Sequence, residues 1–328
     1  MSDDELATPS RRGKPRRVSV IVPTRDRPDF LAEALASIRA VEAWDLSCEI
    51  LVCDNGTHPD TPLVAERFGA RYLQVTRPGA AATRNAGLRA ATGDYIAHLD
   101  DDDLWTKEHI RPHLALMEAR PDIATVVGQI QCTGPDRELQ GPLWPTDLPE
   151  HGDFFMTFMS YFPQVGGTVS RISVRDTVGE FDETLLGDAD WDWQLRIAKR
   201  HRVGFVSVPC VLFRQRPPGS ADKVHLRRIP HTRRIFFRHA LPEWKRWDSP
   251  RAFLRTYNQT MSSYFNYFAM ATVERARTGN ALGALDAARH AIAISPGSGL
   301  KEFVSSKDFR SSVSKALKQL ARNGKRQP

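Results

Sequence analysis

The sequence predicts an α/β protein on a mainly parallel sheet, and three observations carry that prediction. Short β-branched runs recur between Val18 and Val127. Segments with helical apolar spacing separate them at short intervals, which is how successive βαβ units read. Polar and acidic residues follow the ends of these runs, and in open parallel sheets ligands bind beyond the carboxyl ends of the strands.

Each element has its own signal. Val18-Ser19-Val20-Ile21-Val22, stopped by Pro23, suits a buried strand. Phe30, Leu31, Leu35 and Ile38 form one helical face within residues 29–40. Glu49 to Cys53 reads as a second strand, stopped by Asp54-Asn55-Gly56. A helix over 61–68, a strand over 71–75 and an Ala-rich helix over 80–91 follow. Residues 94–99 form a fourth strand that runs into Asp100-Asp101-Asp102-Asp103. A helix over 106–119 and a strand near 123–127 come next, then a Pro- and Gly-rich loop over 133–153. A strand over 168–170, a short helix over 171–178, an acid-opened helix over 190–200 and a last strand over 203–208 complete the region. Residues 250–295 read as helices, and 281–294 resembles half of a helical hairpin repeat. The chain thus divides into a disordered basic segment (1–16), an α/β domain (17–225) and a helical region with a basic tail (226–328).

Composition narrows the function classes. Apolar residues make up 41% of 328, enough for a core, and no run of 18 apolar residues is present to span a bilayer. The net charge of +7 suits a phosphate-bearing ligand, nucleic acid or acidic lipid. No aromatic-interleaved RNA motif or helix-turn-helix pattern accompanies it, so nucleic acid is not expected. The four cysteines form no C-x-x-C pair and read as reduced thiols, which suits the cytosol. Cys48 and Cys53 are oddly spaced along one strand and should face opposite ways. The polar N-terminus lacks an apolar signal stretch, so a cytoplasmic protein is expected. Phe309, Val313, Leu317 and Leu320 lie on one stripe of a basic tail helix. That stripe can pack on the protein's own helices, on a second subunit of a homodimer, or peripherally on an anionic membrane.

The acidic run holds the most chemistry. Four adjacent carboxylates repel one another, and a hard cation such as Mg2+ or Mn2+ would offset that cost. In an extended segment Asp100 and Asp102 face one way and Asp101 and Asp103 the other. The bland reading is a solvated turn or helix cap. The strand Tyr95 to Leu99 favours the ligand reading, because it delivers the run to the sheet edge. Asp54 can accept a hydrogen bond from a base or ribose, shape an Asx turn, or do both. Thr24-Arg25-Asp26-Arg27 offers guanidinium forks for phosphate or base, or is a solvated loop. Arg84, early in a small-residue helix, can pair with phosphate or sit on the surface. Asp188, Asp190 and Asp192 alternate with Trp191 and Trp193. They favour a helix N-terminus, or one is a general base beside indole rings that stack on a sugar.

Five landmarks in order resemble glycosyltransferase family 2 and its GT-A fold. They are VSVIVPT (18–24), ILVCDNG (50–56), RNAG (84–87), GDYIAHLDDDD (93–103) and DWDWQLR (190–196). The resemblance spans about residues 17–215 and implies an inverting, metal-dependent glycosyltransferase. Its donor would be a nucleotide-sugar, a UDP-sugar first. Its acceptor would be a glycan, a lipid-linked sugar or a small molecule. It implies a donor site of Pro23, Thr24, Arg25, Asp54, Arg84, Asp100 and Asp101, with Asp102 on Mn2+ or Mg2+ and His225 completing the metal shell. Asp190 would be the catalytic base, with Asp188, Trp191, Asp192 and Arg196 in support. Ala189 departs from the family, where a Glu is common, which leaves the choice among the three aspartates open. Two rivals stand beside this reading: a sugar-phosphate nucleotidyltransferase, which the missing Gly-rich loop after the first strand disfavours, and a non-catalytic nucleotide-sugar-binding module.

Overall fold

Strand β1 (Arg16–Thr24) is the axis of the sheet: it pairs in parallel with β2 (Leu46–Asp54) on one side and β4 (Tyr95–His98) on the other. The structure is a computed structural model describing residues 15–43, 45–215, 222–297 and 305–324. The expected segment 1–16 lies almost wholly outside the described residues. By packing, these divide into two units. The first holds the residues up to Asp153 with Pro163–Glu183 and Arg196–Gln215. The second holds Phe154–Phe162, Thr184–Leu195 and the residues from Asp222 onward.

In the first unit β3 (Arg71–Gln74) continues the parallel set beyond β2. On the other side β9 (Thr168–Arg171) runs antiparallel between β4 and β6 (Ile123–Thr133). Next, β10 (Arg202–Arg214) lies parallel to β6, and β5 (Leu104–Trp105) pairs antiparallel with it. The order is β3-β2-β1-β4-β9-β6-β10-β5, so the sheet is mixed and mainly parallel as expected. Val18, Val20, Val22, Cys48, Ile50 and Val52 pack against Leu31, Leu35 and Ile38 of α1 (Pro28–Arg39) and Leu114 of α4 (Ile110–Ala119). The alternate residues Ile21 and Cys53 meet α3 (Ala80–Ala90) at Gly87. Cys48 and Cys53 therefore do face opposite ways, and layers on both faces explain the continuous apolar runs.

Several elements differ from the expectation. The segment 133–153 contains β7 (Leu139–Trp144), paired with β6, and β8 (His151–Gly152), paired with β10. Strand β7 is largely exposed and carries Gly141 and Pro142, so no apolar alternation marks it. Strand β10 also runs on to Arg214. Residues 154–162 and 184–195 pack with the helical unit, although the sequence reading put them in the α/β domain. Helix α7 (Ala189–Arg200) is divided between the units after Leu195.

The second unit is helical. It contains α5 (Phe155–Ser160), α8 (Asp222–Ala240), α9 (Pro250–Arg277), α10 (Ala281–Ile294) and α11 (Lys307–Gly324). Ser249 caps α9 by accepting from the Ala252 N–H at 3.1 Å, and Asn280 caps α10 from Gly283 at 2.9 Å. Met261, Phe265 and Phe268 of α9 close on Ala287, Ala288 and Ala291 of α10 and on Phe309 of α11. Val313 packs on the same cluster, and Ala316 is buried nearby. The first half of the tail stripe, Phe309 and Val313, thus packs on the protein's own helices. Leu317 stays exposed, and the Leu320 side chain lies outside the described residues. No helix among the described residues is long and apolar enough to cross a membrane.

A Cβ on Gly87 would fall 2.4 Å from Ile21 Cγ2 and 3.1 Å from Cys53 Sγ. Gly87→Val should therefore force α3 off the sheet and cost about 1–3 kcal/mol, seen as a lower urea midpoint than for the exposed-position variant Arg89→Val.

Candidate functional site

The carboxyl ends of β1 and β2 are in register at Thr24 and Asp54. The loops beyond them are joined. Asp26, with φ 54°, accepts from the Thr57 N–H at 2.7 Å and the His58 N–H at 3.0 Å. These donors hold its carboxyl below the usual range, with Thr57 contributing most. Gly56 is required here, because a Cβ would lie 2.4 Å from Asp26 Oδ1. Asn55 donates to the Val75 and Arg77 carbonyls at 2.7 and 3.0 Å and ties in the exit of β3.

Asp54 is fully buried. Its Oδ1 accepts from the Gly56 N–H at 2.7 Å and its Oδ2 faces the Tyr72 hydroxyl at 2.9 Å. The Tyr72 oxygen is also 2.6 Å from Gln74 Oε1, so its one proton serves one acceptor at a time. The turn-shaping reading of Asp54 is the one its surroundings display, and no oxygen is exposed. Pro23 is half-buried and Arg25 exposed at the rim of these loops.

The acidic run forms a turn closed by the Asp103 N–H on the Asp100 carbonyl at 3.1 Å, and is not extended. Burial still alternates: Asp101 and Asp103 are enclosed, while the side chains of Asp100 and Asp102 keep 31% and 19% of their surface exposed. Asp100 Oδ1 accepts from Arg84 Nη2 at 2.6 Å. Burial opposes ionisation of Asp100, but the charge and hydrogen bond of Arg84 outweigh it and hold the carboxyl below its ordinary value. Arg84 is therefore a buried partner of the run, which settles against the surface reading. Asp101 accepts from Thr24 Oγ1 at 2.7 Å and pairs with Arg27 Nη2. Arg27 Nη1 reaches Asp102 Oδ2 at 2.8 Å. Asp103 Oδ1 accepts from the Arg214 N–H at 2.9 Å. Burial pushes Asp103 well above the ordinary range and Asp101 up to about 6, against the pull of Arg27. His98, packed edge-on against Phe181 at 5.5 Å, is held neutral by burial and then by the Arg84 cation, down to about 3.

Two corrections follow. Asp101 offers no exposed oxygen to a ligand and acts as a tie between Thr24 and Arg27. Arg27, which was read only as part of a polar loop, is the cation that spans two of the four carboxylates; its distance from the run in sequence hid the pairing.

The second unit carries the other acidic cluster. Asp188, at φ 56°, is buried and bonded to Arg228 Nε at 2.9 Å and the Tyr264 hydroxyl at 2.8 Å, with Thr232 also donating. Gly187 makes room, since a Cβ there would meet Arg228 Cγ at 2.4 Å. Asp192 is buried against Arg238 Nη1 at 3.1 Å and His239 Nε2 at 2.9 Å. Asp190 is half-buried, accepts from the Trp191 N–H at 3.0 Å, and forms no ion pair among the described residues. Trp191 stacks on Phe162 at 4.0 Å and donates to the Phe158 carbonyl at 2.6 Å, and Trp193 is fully buried. The expectation that these indoles stack on a sugar is corrected: both are core. His225 lies on α8 against Tyr264 and Tyr267, at 5.4 and 4.4 Å, and among the described residues it belongs to no group of three metal-ligating side chains. In the first unit Arg196 donates to the Val178 and Glu180 carbonyls at 2.6 and 2.7 Å and so anchors its half of α7.

Known proteins resemble this chain in sequence family and in fold. The family model for glycosyl transferase family 2 matches residues 19–174. The chain is 26% identical over 235 residues to the uncharacterized glycosyltransferase YwdF of Bacillus subtilis, covering 69% of this chain and 85% of that protein. It is 37% identical over 176 residues to an uncharacterized glycosyltransferase of Rickettsia felis, covering 52% of this chain but only 27% of that longer protein. Among solved structures, S. aureus TarS 1-349 in complex with UDP-GlcNAc superposes with a TM-score of 0.53 at 15% identity, covering 83% of this chain and 89% of that one. The mannosyltransferase PcManGT of Pyrobaculum calidifontis, in complex with GDP-Man and Mn2+, gives 0.51 at 18% identity, covering 96% and 88%. At these identities the structures share the GT-A fold with this chain.

The raised value at Asp101 yields a pH dependence. A group whose folded value is raised contributes stability that is complete below the ordinary carboxylate range and lost as pH rises through about 6. Asp101→Asn removes that titration. The stability of the variant relative to wild type should therefore improve between about pH 4 and pH 7, read as the difference in urea midpoints at the two ends. A difference that is flat or falls across that window would mean Asp101 does not titrate there.

Proposed function

The chain belongs to glycosyl transferase family 2 and is a glycosyltransferase; from that premise we propose that it moves a sugar from a nucleoside diphosphate-sugar, a UDP-sugar first, to an acceptor hydroxyl by metal-assisted displacement with inversion. The observation that carries this reading is the pair of partly exposed carboxylates, Asp100 and Asp102, at the carboxyl edge of the sheet, with Arg84 and Arg27 beside them. One or two carboxylates plus the phosphates of the substrate are the usual holders of Mg2+. The two carboxylates thus fit a hard divalent ion, Mn2+ or Mg2+, with Asp102 as its foremost ligand. The Mn2+ bound with GDP-Man in PcManGT supports the same assignment. When bound there, such an ion supplies charge compensation for a departing diphosphate.

The chain's own residues do the rest. We assign Pro23, Thr24 and Arg25 to the nucleobase and ribose, with buried Asp54 and Tyr72 shaping the floor beneath them. Arg84 and Arg27 offer guanidinium forks to phosphate oxygens, each now satisfied by a carboxylate of the run. Asp190 takes the proton of the attacking hydroxyl. Its flanking aspartates are committed to cations, which leaves it as the carboxylate of the three with access to solvent and no ion pair among the described residues. We assign Asp188 and Asp192 to positioning the first turn of α7. The acceptor class is taken from chemistry alone: a hydroxyl on a glycan, a lipid-linked sugar or a small molecule.

A panel of nucleotide-sugars, assayed for hydrolysis and thermal stabilisation with Mn2+, with Mg2+ and with EDTA, tests the reading. Asp102→Ala should abolish metal-dependent binding of nucleoside diphosphate in a folded protein, and equal affinity in EDTA by calorimetry overturns the metal assignment. Asp190→Asn should keep donor affinity and lose transfer by about a hundredfold or more. Asp188→Asn should instead lower the melting temperature, because it removes the buried carboxylate that pairs with Arg228 and accepts from Thr232 and Tyr264. If Asp188→Asn is the inactive but stable variant, the base is misassigned.

A further inference from the structure

A second group of metal-ligating side chains lies within the α/β unit, between the start of α4 and β10. His109 precedes the first residue of α4, His113 lies one turn on, and Cys210 comes from β10. All three are buried, and one ligand atom from each lies within 4.8 Å of the others. We infer that His109, His113 and Cys210 form a structural zinc site, with the Gly167 carbonyl beside it as an oxygen donor. This inference does not rest on the proposed donor chemistry.

Four observations carry it. First, neither ring nitrogen of His109 has a hydrogen-bond partner among the described residues, although the side chain is fully buried. Its ring contacts are edge-on, with Trp105 at 4.6 Å and His113 at 4.7 Å, and satisfy neither nitrogen. Buried nitrogens left unmet are costly, and a bound cation meets one of them. Second, His113 Nδ1 lies 2.5 Å from the His109 carbonyl and Nε2 lies 3.2 Å from the Gly167 carbonyl. A neutral imidazole has one N–H for these two carbonyl acceptors. If Nδ1–H donates to His109, the Nε2 lone pair faces a carbonyl oxygen, a repulsive contact that an ion beside both would turn into attraction. An Nδ1–H bonded to a backbone carbonyl is also the outer contact that orients zinc-binding histidines.

Third, Gly128 keeps the space open: a Cβ there would fall 2.1 Å from Cys210 Sγ and 3.1 Å from His113 Cε1. Fourth, the donor set is selective. Two imidazoles and a thiolate suit zinc, whereas Mn2+ and Mg2+ favour oxygen. Zinc bonds of about 2.0–2.3 Å in tetrahedral geometry put ligand atoms about 3.3–3.8 Å apart, so closure needs shifts of about 1 Å. On binding, the Cys210 thiol loses its proton to solvent as the sulfur–zinc bond forms, and no oxidant or reductant is needed. The ion would clamp the start of α4 to β10, next to Trp105, whose indole donates to the Gly166 carbonyl at 3.0 Å.

The test uses the full chain, dialysed with and without EDTA and then loaded with Zn2+ or Co2+. Elemental analysis should find one zinc retained per chain. The Co2+ form should show the near-ultraviolet charge-transfer band of a cobalt–thiolate bond. Cys210→Ser should lose that band, and His109→Gln should weaken zinc retention by about tenfold or more. A wild-type chain that retains no zinc and gives no band overturns the site, as does a band that persists in Cys210→Ser. Should Cys210→Ser fail to fold, the wild-type spectrum decides by itself, because among the described residues no other cysteine belongs to such a group.

Discussion

Four consecutive carboxyl groups crowd one sheet edge, and the first unit brings distant parts of the chain together to hold them. Arg84 comes from α3 to Asp100, Arg27 from the loop before α1 to Asp101 and Asp102, and the Arg214 backbone from β10 to Asp103. Three separate parts of the chain thus converge on one turn. The parallel sheet is what allows it, because β1 and β4 release their carboxyl ends side by side. Burial separates the four carboxylates into two classes. Asp101 and Asp103 are held as structural acids, and Asp100 and Asp102 keep exposed oxygens.

The same logic of committed charges operates in the helical unit. Asp188 is matched by Arg228 and two hydroxyls and Asp192 by Arg238 and His239, whereas Asp190 accepts from a backbone amide and, among the described residues, forms no ion pair. A buried carboxylate with an ion pair is expensive to disturb, whereas a half-exposed one can gain and lose a proton during turnover. Functional assignment among three near-identical residues therefore rests on what surrounds each of them. Glycine takes part in both units: Gly56 and Gly187 each leave room for a neighbouring polar side chain that any Cβ would push away.

The zinc inference extends this view to a site of opposite chemistry. The sheet edge gathers hard oxygen donors at partly exposed positions, while the buried interior between α4 and β10 gathers nitrogen and sulfur. Two sites of such different softness in one unit would select different ions from the same solution.

The sequence by itself determined the βαβ alternation, the placing of Asp54 and the acidic run after strand ends, and the family landmarks. Periodicity and strand-ending residues are local properties, and local properties survive in a linear string. It did not disclose β7, whose exposed Gly- and Pro-containing run carries no period, nor the packing of residues 154–162 with the helical unit. Only the tertiary structure decided that Arg27 spans two carboxylates, that Trp191 is core, that Phe309 and Val313 of the tail stripe pack on the protein's own helices, and that Asp190, among the described residues, forms no ion pair where its neighbours do. Each of these depends on partners far away in the chain: about 75 residues for Arg27 and Asp102, and 40 for Asp188 and Arg228. Charge pairing and burial are set by which surfaces meet, and no spacing within a segment records that.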